Sequence, residues 1–190
     1  MPRLFAAIEI PDEIAAGLER LRQPLPGARW LEPQSYHLTL RFFGDVTAPV
    51  AREIGHELAL VEHPVMEIRC TEPGVFGGAD PRALWVGIDG GEPLAALQRD
   101  VERAARRAGL APEKRPFRPH VTLARLHNSN VDVIARYLGR HGAFRSPPFT
   151  ATRFVLMSSR AFTGGGPYGV VEEYPLIGGG WGDDAADYTD

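Results

Sequence analysis

The feature that most constrains this chain is a strand that occurs twice. Tyr36 to Phe43 reads YHLTLRFF, and Phe117 to Leu126 reads FRPHVTLARL; both carry the pattern His, apolar, Thr, apolar. Each copy lies at the same place in a longer pattern. The first follows an apolar run at 3–10 that Pro11 ends, then a helix-like segment. The second follows the apolar run ALWVGI at 83–88, a Gly90-Gly91 turn, and another helix-like segment. Phe5 stands 32 positions before His37, and Trp85 stands 35 before His120. Strand, helix and His-x-Thr strand therefore repeat at nearly equal spacing, which points to two lobes related by a pseudo-two-fold axis.

The periodicity fills in the remaining elements. Asp12 is placed to cap a helix whose Ile14, Leu18, Leu21 and Leu25 share one face, until Pro24 and Pro26 end it. Thr47 caps a second helix with Val50, Ile54, Leu58 and Val61 on one side, and a strand follows at 65–70. In the second half Leu94, Leu97, Val101, Ala104 and Ala108 recur at helical spacing, with Gly109 as the C′ residue. A helix over 131–138 and strands over 153–157 and 169–174 complete the set. Residues 1–177 are expected to form a single bilobal domain. Residues 178–190, Gly-rich and then acidic, are expected to be a flexible tail.

Side chains alternate between the two faces of a strand. Leu38 and Leu40 therefore point into a core, while His37 and Thr39 share the other face; Val121 and Leu123 stand against His120 and Thr122 in the same way. With six His and eight Thr in 190 residues, chance supplies roughly 0.25 copies of His-x-Thr. Two copies, each in a matching half, carry information. Two imidazoles facing each other suit the opening of a cyclic phosphate, because the attacking water must lose a proton on one side of phosphorus while the leaving oxygen gains one on the other. An ordinary histidine pKa of about 6.5 lets one ring be neutral and one charged near neutral pH. Thr39 and Thr122 would donate hydrogen bonds to the phosphoryl oxygens.

Composition excludes several alternatives. The net charge of -3 and pI near 6.1 do not suit a protein that coats long nucleic acid, so any nucleic-acid contact should be local, such as one end or one phosphate. Cys70 is the single cysteine, so no intrachain disulfide can form, and it is expected in the core. No run of about 18 apolar residues suggests a membrane span, the N-terminus does not resemble a signal peptide, and a cytoplasmic location is expected. Neither His-x-x-x-His nor Cys-x-x-Cys occurs, and no Gly-x-Ser-x-Gly elbow is present, so no metal and no cofactor is expected. Nothing calls for an obligate protein partner, and a monomer is expected.

With RLFAAIEIP, WLEPQSYHLTLRFFGDV, RALWVGI, RPFRPHVTLAR and the closing VVEEYPL in view, the chain resembles the 2H phosphoesterase superfamily, and more narrowly its RNA 2′,3′-cyclic phosphodiesterases, long called 2′-5′ RNA ligases. The resemblance implies an α+β fold of two pseudo-symmetric lobes, each an antiparallel sheet with helices on the outside, around a central cleft. It implies His37 as proton donor, His120 as proton acceptor, a 2′-phosphomonoester product and a weak ligation that makes 2′-5′ linkages. It also suggests Arg125 as a substrate contact, although strict alternation turns Arg125 away from His120 and puts Arg41 on the face of His37. Arg41 and Tyr168 are further candidates for substrate binding. Phe42, Phe43 and Phe117 could stack on a base, though core packing suits them better, and Lys114, Arg115 and Arg118 could guide an RNA backbone. His56, His63, His127 and His141 lack a partner motif and read as surface residues. The ligand expected is an RNA end or a small nucleotide with a cyclic phosphate. The alternatives are 2H chemistry on a small cyclic nucleotide, ADP-ribose cyclic phosphate or 2′-5′ oligoadenylate, and a non-catalytic nucleotide-binding module.

Overall fold

The apolar runs become strands and the 3.6-periodic segments become helices, in an order that repeats. A computed structural model describes residues 3–159 and 168–177. The first half holds β1 (Arg3–Glu9), α1 (Asp12–Glu19), the short β2 (Ala28–Trp30), β3 (His37–Asp45), α2 (Ala48–Ala59) and β4 (Met66–Phe76). The second holds β5 (Ala83–Asp89), α3 (Gly91–Arg107), β6 (His120–Leu126), α4 (Val131–His141), β7 (Phe149–Ala151), β8 (Arg153–Ser158) and β9 (Gly169–Pro175). The tail expected from residue 178 lies outside the described residues, as do residues 160–167 of the Gly-rich connection before β9.

The strands run β7-β4-β5-β6-β3-β1-β8-β9, with β2 added beside β6, and every named pair is antiparallel. The path divides into two lobes, β7-β4-β5-β6 and β3-β1-β8-β9, joined where Leu38 faces Val121. The halves exchange strands across this join. β4, from the first half, pairs with β5; β8, from the second, pairs with β1. This exchange ties the lobes covalently in both directions, and no periodicity in the sequence announces it. One continuous core runs through both lobes, with Leu18 of α1, Ile54 and Leu58 of α2, and Leu94, Leu97 and Val101 of α3 packed on Ile8, Leu38, Ile68, Val86 and Val121. Cys70 is fully buried in it, which pushes its thiol up to about 11.

Several boundaries differ from the sequence reading for identifiable reasons. Pro11 is the N-cap of α1 and Asp12 its first helical residue; α1 ends at Glu19, although Leu21 and Leu25 stay buried in the turns beyond it. Thr47 sits at the N-cap of α2 but its side chain caps nothing. β6 begins at His120 rather than Phe117, since Pro116 and Pro119 have no N–H to give a ladder. At the end of α3 the expectation holds. Gly109 adopts φ +90°, its N–H reaches the Arg106 carbonyl, and the Leu110 N–H reaches that of Ala105, a Schellman closure.

Candidate active site

The two motif strands are built alike down to single residues. Over seven positions from each histidine the burial sequence is identical: half-buried His and Thr alternate with buried Leu38 and Leu40, or Val121 and Leu123, and then a second buried residue follows directly. That double step is a β-bulge. Ala7 faces Thr39 but Ala6 faces Arg41, so Leu40 is skipped; Trp85 faces Thr122 but Leu84 faces Ala124, so Leu123 is skipped. Each bulge flips the alternation beyond it.

The bulges reverse the alternation reading of the two arginines. Arg125 is turned onto the face of His120 and Thr122 and is exposed there, close enough for its charge to act on both imidazoles. Arg41 is turned away from His37 and is 9% exposed. Its Nε donates to Glu102 Oε2 at 2.5 Å and its Nη2 to the Ala111 carbonyl at 2.7 Å, with Glu113 also in ion-pair range. The residue in the first strand that corresponds to Arg125 is Phe42, half-exposed on the cleft face.

Antiparallel pairing through Leu38 and Val121 sets His37 opposite Thr122 and Thr39 opposite His120 on neighbouring strands, and the charge of His120 reaches the His37 ring. Each ring is held the same way. His37 Nδ1 lies 2.7 Å from the Ser35 carbonyl, and His120 Nδ1 lies 2.5 Å from that of Arg118. A carbonyl only accepts, so both Nδ1 atoms carry hydrogen, and in the neutral rings Nε2 keeps the free lone pair. Each ring is also flanked by two aromatic residues. Phe5 and Tyr168 stand 4.9 and 5.0 Å from His37 between ring centroids; Phe76 and Trp85 stand 4.9 and 6.0 Å from His120. Burial lowers the pKa of both histidines. The Ser35 bond opposes this at His37, where the charges of His120 and Arg125 add to it; the Arg118 bond opposes it at His120, where Arg125 adds to it.

The cleft is not symmetric at its ends. Beside β6, β2 pairs with Ala124, Arg125 and Leu126 and fills the space where the motif strands diverge, with Arg29 opposite Arg125. Beside β3 the corresponding segment, 111–119, forms no strand. A cavity of about 490 Å³ opens there, lined by Thr39, Phe42, Phe76, Phe117, Arg118 and His120 among others. Of the aromatic candidates, Phe42 and Phe117 thus line the cleft and Tyr168 stands at its His37 side, whereas Phe43 is core. Arg115 reaches the cavity but is paired with Glu113. Sequence reasoning missed Phe5, Phe76, Trp85 and Arg29 as neighbours of the site. The spacings of Phe5 to His37 and Trp85 to His120 put an aromatic residue on each flanking strand, but the two positions are not equivalent: Trp85 faces Thr122 as Ala7 faces Thr39, and Phe5 faces Phe42 as Ala83 faces Arg125. Among the described residues no three His, Cys, Asp or Glu are grouped to hold a metal, and no helix is long and apolar enough to cross a membrane.

Known proteins share this architecture. E. coli LigT in its complex with 3'-AMP superimposes with a TM-score of 0.72 at 25% identity, over 93% of this chain and 99% of that one. An RNA 2',3'-cyclic phosphodiesterase of Aquifex aeolicus is 30% identical over 155 residues, 79% of this chain and 82% of that protein. One of Aeropyrum pernix is 40% identical over 115 residues, 59% of this chain and 65%, just under two thirds, of that protein. The profile of the 2'-5' RNA ligase superfamily matches residues 10–161, which include both motifs and their bulges. The chain belongs to the 2'-5' RNA ligase superfamily.

Proposed function

We propose that the protein hydrolyses RNA 2′,3′-cyclic phosphodiester ends to 2′-phosphomonoesters by acid–base catalysis between His37 and His120. The observation that carries this reading is the pair of rings across the Leu38–Val121 join, each with Nδ1 tied to its own backbone and Nε2 left for the substrate, and each beside the threonine of the opposite strand. Held so, one ring can protonate the leaving oxygen while the other takes a proton from the attacking water. Following the family resemblance, His37 is the donor and His120 the acceptor. Thr39, Thr122 and the re-aimed Arg125 supply donors and positive charge for the phosphoryl oxygens. The relatives named above as RNA 2',3'-cyclic phosphodiesterases support the reaction class. Attack on the same phosphorus by an RNA 5′-hydroxyl in place of water, with the P–O3′ bond breaking and the 3′ oxygen taking the proton, gives a 2′-5′ linkage at the same site. The setting proposed for the enzyme is the cytoplasm.

The one-sided cavity accommodates a single nucleoside, with Phe42 and Phe117 offering faces to a base. It therefore also favours a second substrate class, small nucleoside 2′,3′-cyclic phosphates. Incubating the protein with an RNA oligomer ending in a 2′,3′-cyclic phosphate, in excess EDTA, and following phosphorus by NMR tests the proposal. A new 2′-monophosphate resonance is the expected result. A persistent cyclic phosphate signal, or a 3′-monophosphate product, refutes it.

A further inference from the structure

Arg41 is a buried cation at the edge of the cavity, which Glu113 also lines, yet the bulge turns it away from His37. Its guanidinium joins three parts of the structure. Nε binds Glu102 on α3; Nη2 binds the Ala111 carbonyl, at the start of the segment that walls the cavity; Nη1 binds the carbonyl of Phe42, whose ring lies on the cleft face. Glu113 completes the cluster, its carboxylate 3.8 Å from Arg41 and its backbone N–H donating to Glu102 Oε1 at 3.1 Å. The segment from Ala111 to Pro119 has no strand partner to hold it against β3, so this cluster anchors its first residues. Glu113 itself, and Phe117 and Arg118 further along the segment, line the cavity. Glu113 is also held down to about 2 by its bonds with Arg115, with Arg41 contributing, so it stays ionised throughout the neutral range.

We infer that Arg41 is a positioning residue for nucleoside recognition: by fixing Phe42 and the 111–118 segment on opposite walls, it sets the width of the cavity next to His120. This rests on the cyclic phosphodiesterase reading, and it adds that binding of the nucleoside, not the proton transfers, depends on Arg41. It also accounts for an arginine in the middle of a motif strand whose bulge carries it away from the phosphate. Lysine cannot replace it, because a single ammonium lacks the planar fork that meets Glu102, Ala111 and Phe42 together.

The test compares wild type with Arg41→Met and Arg41→Lys on two substrates, adenosine 2′,3′-cyclic phosphate and glycerol 1,2-cyclic phosphate, which has no nucleoside. For the adenosine substrate, Arg41→Met is expected to raise KM about tenfold with kcat within about threefold of wild type, and to leave both limbs of the pH profile in place. Arg41→Lys should recover little of the KM. The glycerol substrate should be opened with an unchanged kcat/KM. An unchanged KM for adenosine, or equal losses on both substrates, overturns the assignment. Should Arg41→Met not fold, Glu113→Gln removes the carboxylate paired with Arg41 and leaves the arginine itself in place, and a KM that does not rise overturns the assignment equally. Wild-type protein that opens neither substrate refutes the cyclic phosphodiesterase reading instead. The assignment then stands or falls on affinity for adenosine 2′-monophosphate by calorimetry, expected to weaken about tenfold in Arg41→Met.

Discussion

Gly74 offers a direct test of how His120 is held. It pairs across β4 and β5 with Trp85, and the indole lies over it. A Cβ at position 74 would stand 2.2, 2.4 and 2.7 Å from three atoms of the indole's benzo edge, where ordinary contact begins at 3.4 Å. The ring must therefore move by about 0.8 to 1.2 Å, the shifts that take the 2.2 Å approach to 3.0 and to 3.4 Å. It cannot move alone. Trp85 packs on Phe76 at 5.1 Å, and both rings flank His120. Overpacking of this kind costs about 1–3 kcal/mol of stability. If His120 acts as proposed, a displacement of order 1 Å passed on to its ring costs about 10²-fold in rate. Gly74→Ala should thus remain folded, with a lower urea midpoint, and lose about 10²-fold in kcat on RNA 2′,3′-cyclic phosphate. Trp85→Phe removes the benzo edge while keeping an aromatic ring beside His120. The indole Nε1 is buried with no hydrogen-bond partner among the described residues, so its removal breaks no bond. In the Trp85→Phe background, adding Gly74→Ala should change kcat less than about threefold, a strong coupling between neighbours. Full activity in Gly74→Ala, or a further 10²-fold loss in the double variant, refutes the reasoning.

Other predictions follow from the same geometry. His37→Ala and His120→Ala should each lower kcat by about 10²- to 10⁴-fold, and the double variant should lose far less than the product, because the rings act as a unit; an unchanged rate in either single variant speaks against the mechanism. The proposed mechanism needs one ring neutral and one protonated in the free enzyme, and burial lowers both pKa values from the ordinary 6.5. The kcat/KM profile should therefore be a bell with both limbs below about pH 6.5, titrating as a pair, and an anionic substrate that favours the charged rings should move the kcat profile upward. A kcat/KM that still rises above pH 7 contradicts this. Leu38→Ala empties a fully buried site at the join between the lobes and should cost about 2–5 kcal/mol, read as a lower urea midpoint at unchanged slope; a cost under about 1 kcal/mol would mean the join is not part of the packed core.

The sequence by itself determined the pair of His-x-Thr strands, the helices between them and the two-fold plan, because each follows from local periodicity and a repeat needs no knowledge of what it packs against. The buried faces of α3 and the closure at Gly109 were legible for the same reason. What tertiary structure decided were the facts that depend on pairing between distant segments. The exchange of β4 and β8 between the lobes is a matter of sheet order, which a strand's own residues do not encode. The bulges at Leu40 and Leu123 exist only relative to a partner strand, and they alone turn Arg125 toward the imidazoles and Arg41 away. The one-sided cavity arises because β2 finds an edge to pair with while the proline-rich segment before His120 does not. Side-chain alternation counts residues along one strand; the register of two strands sets which of them face the cleft, and that is fixed only when the chain has folded back on itself.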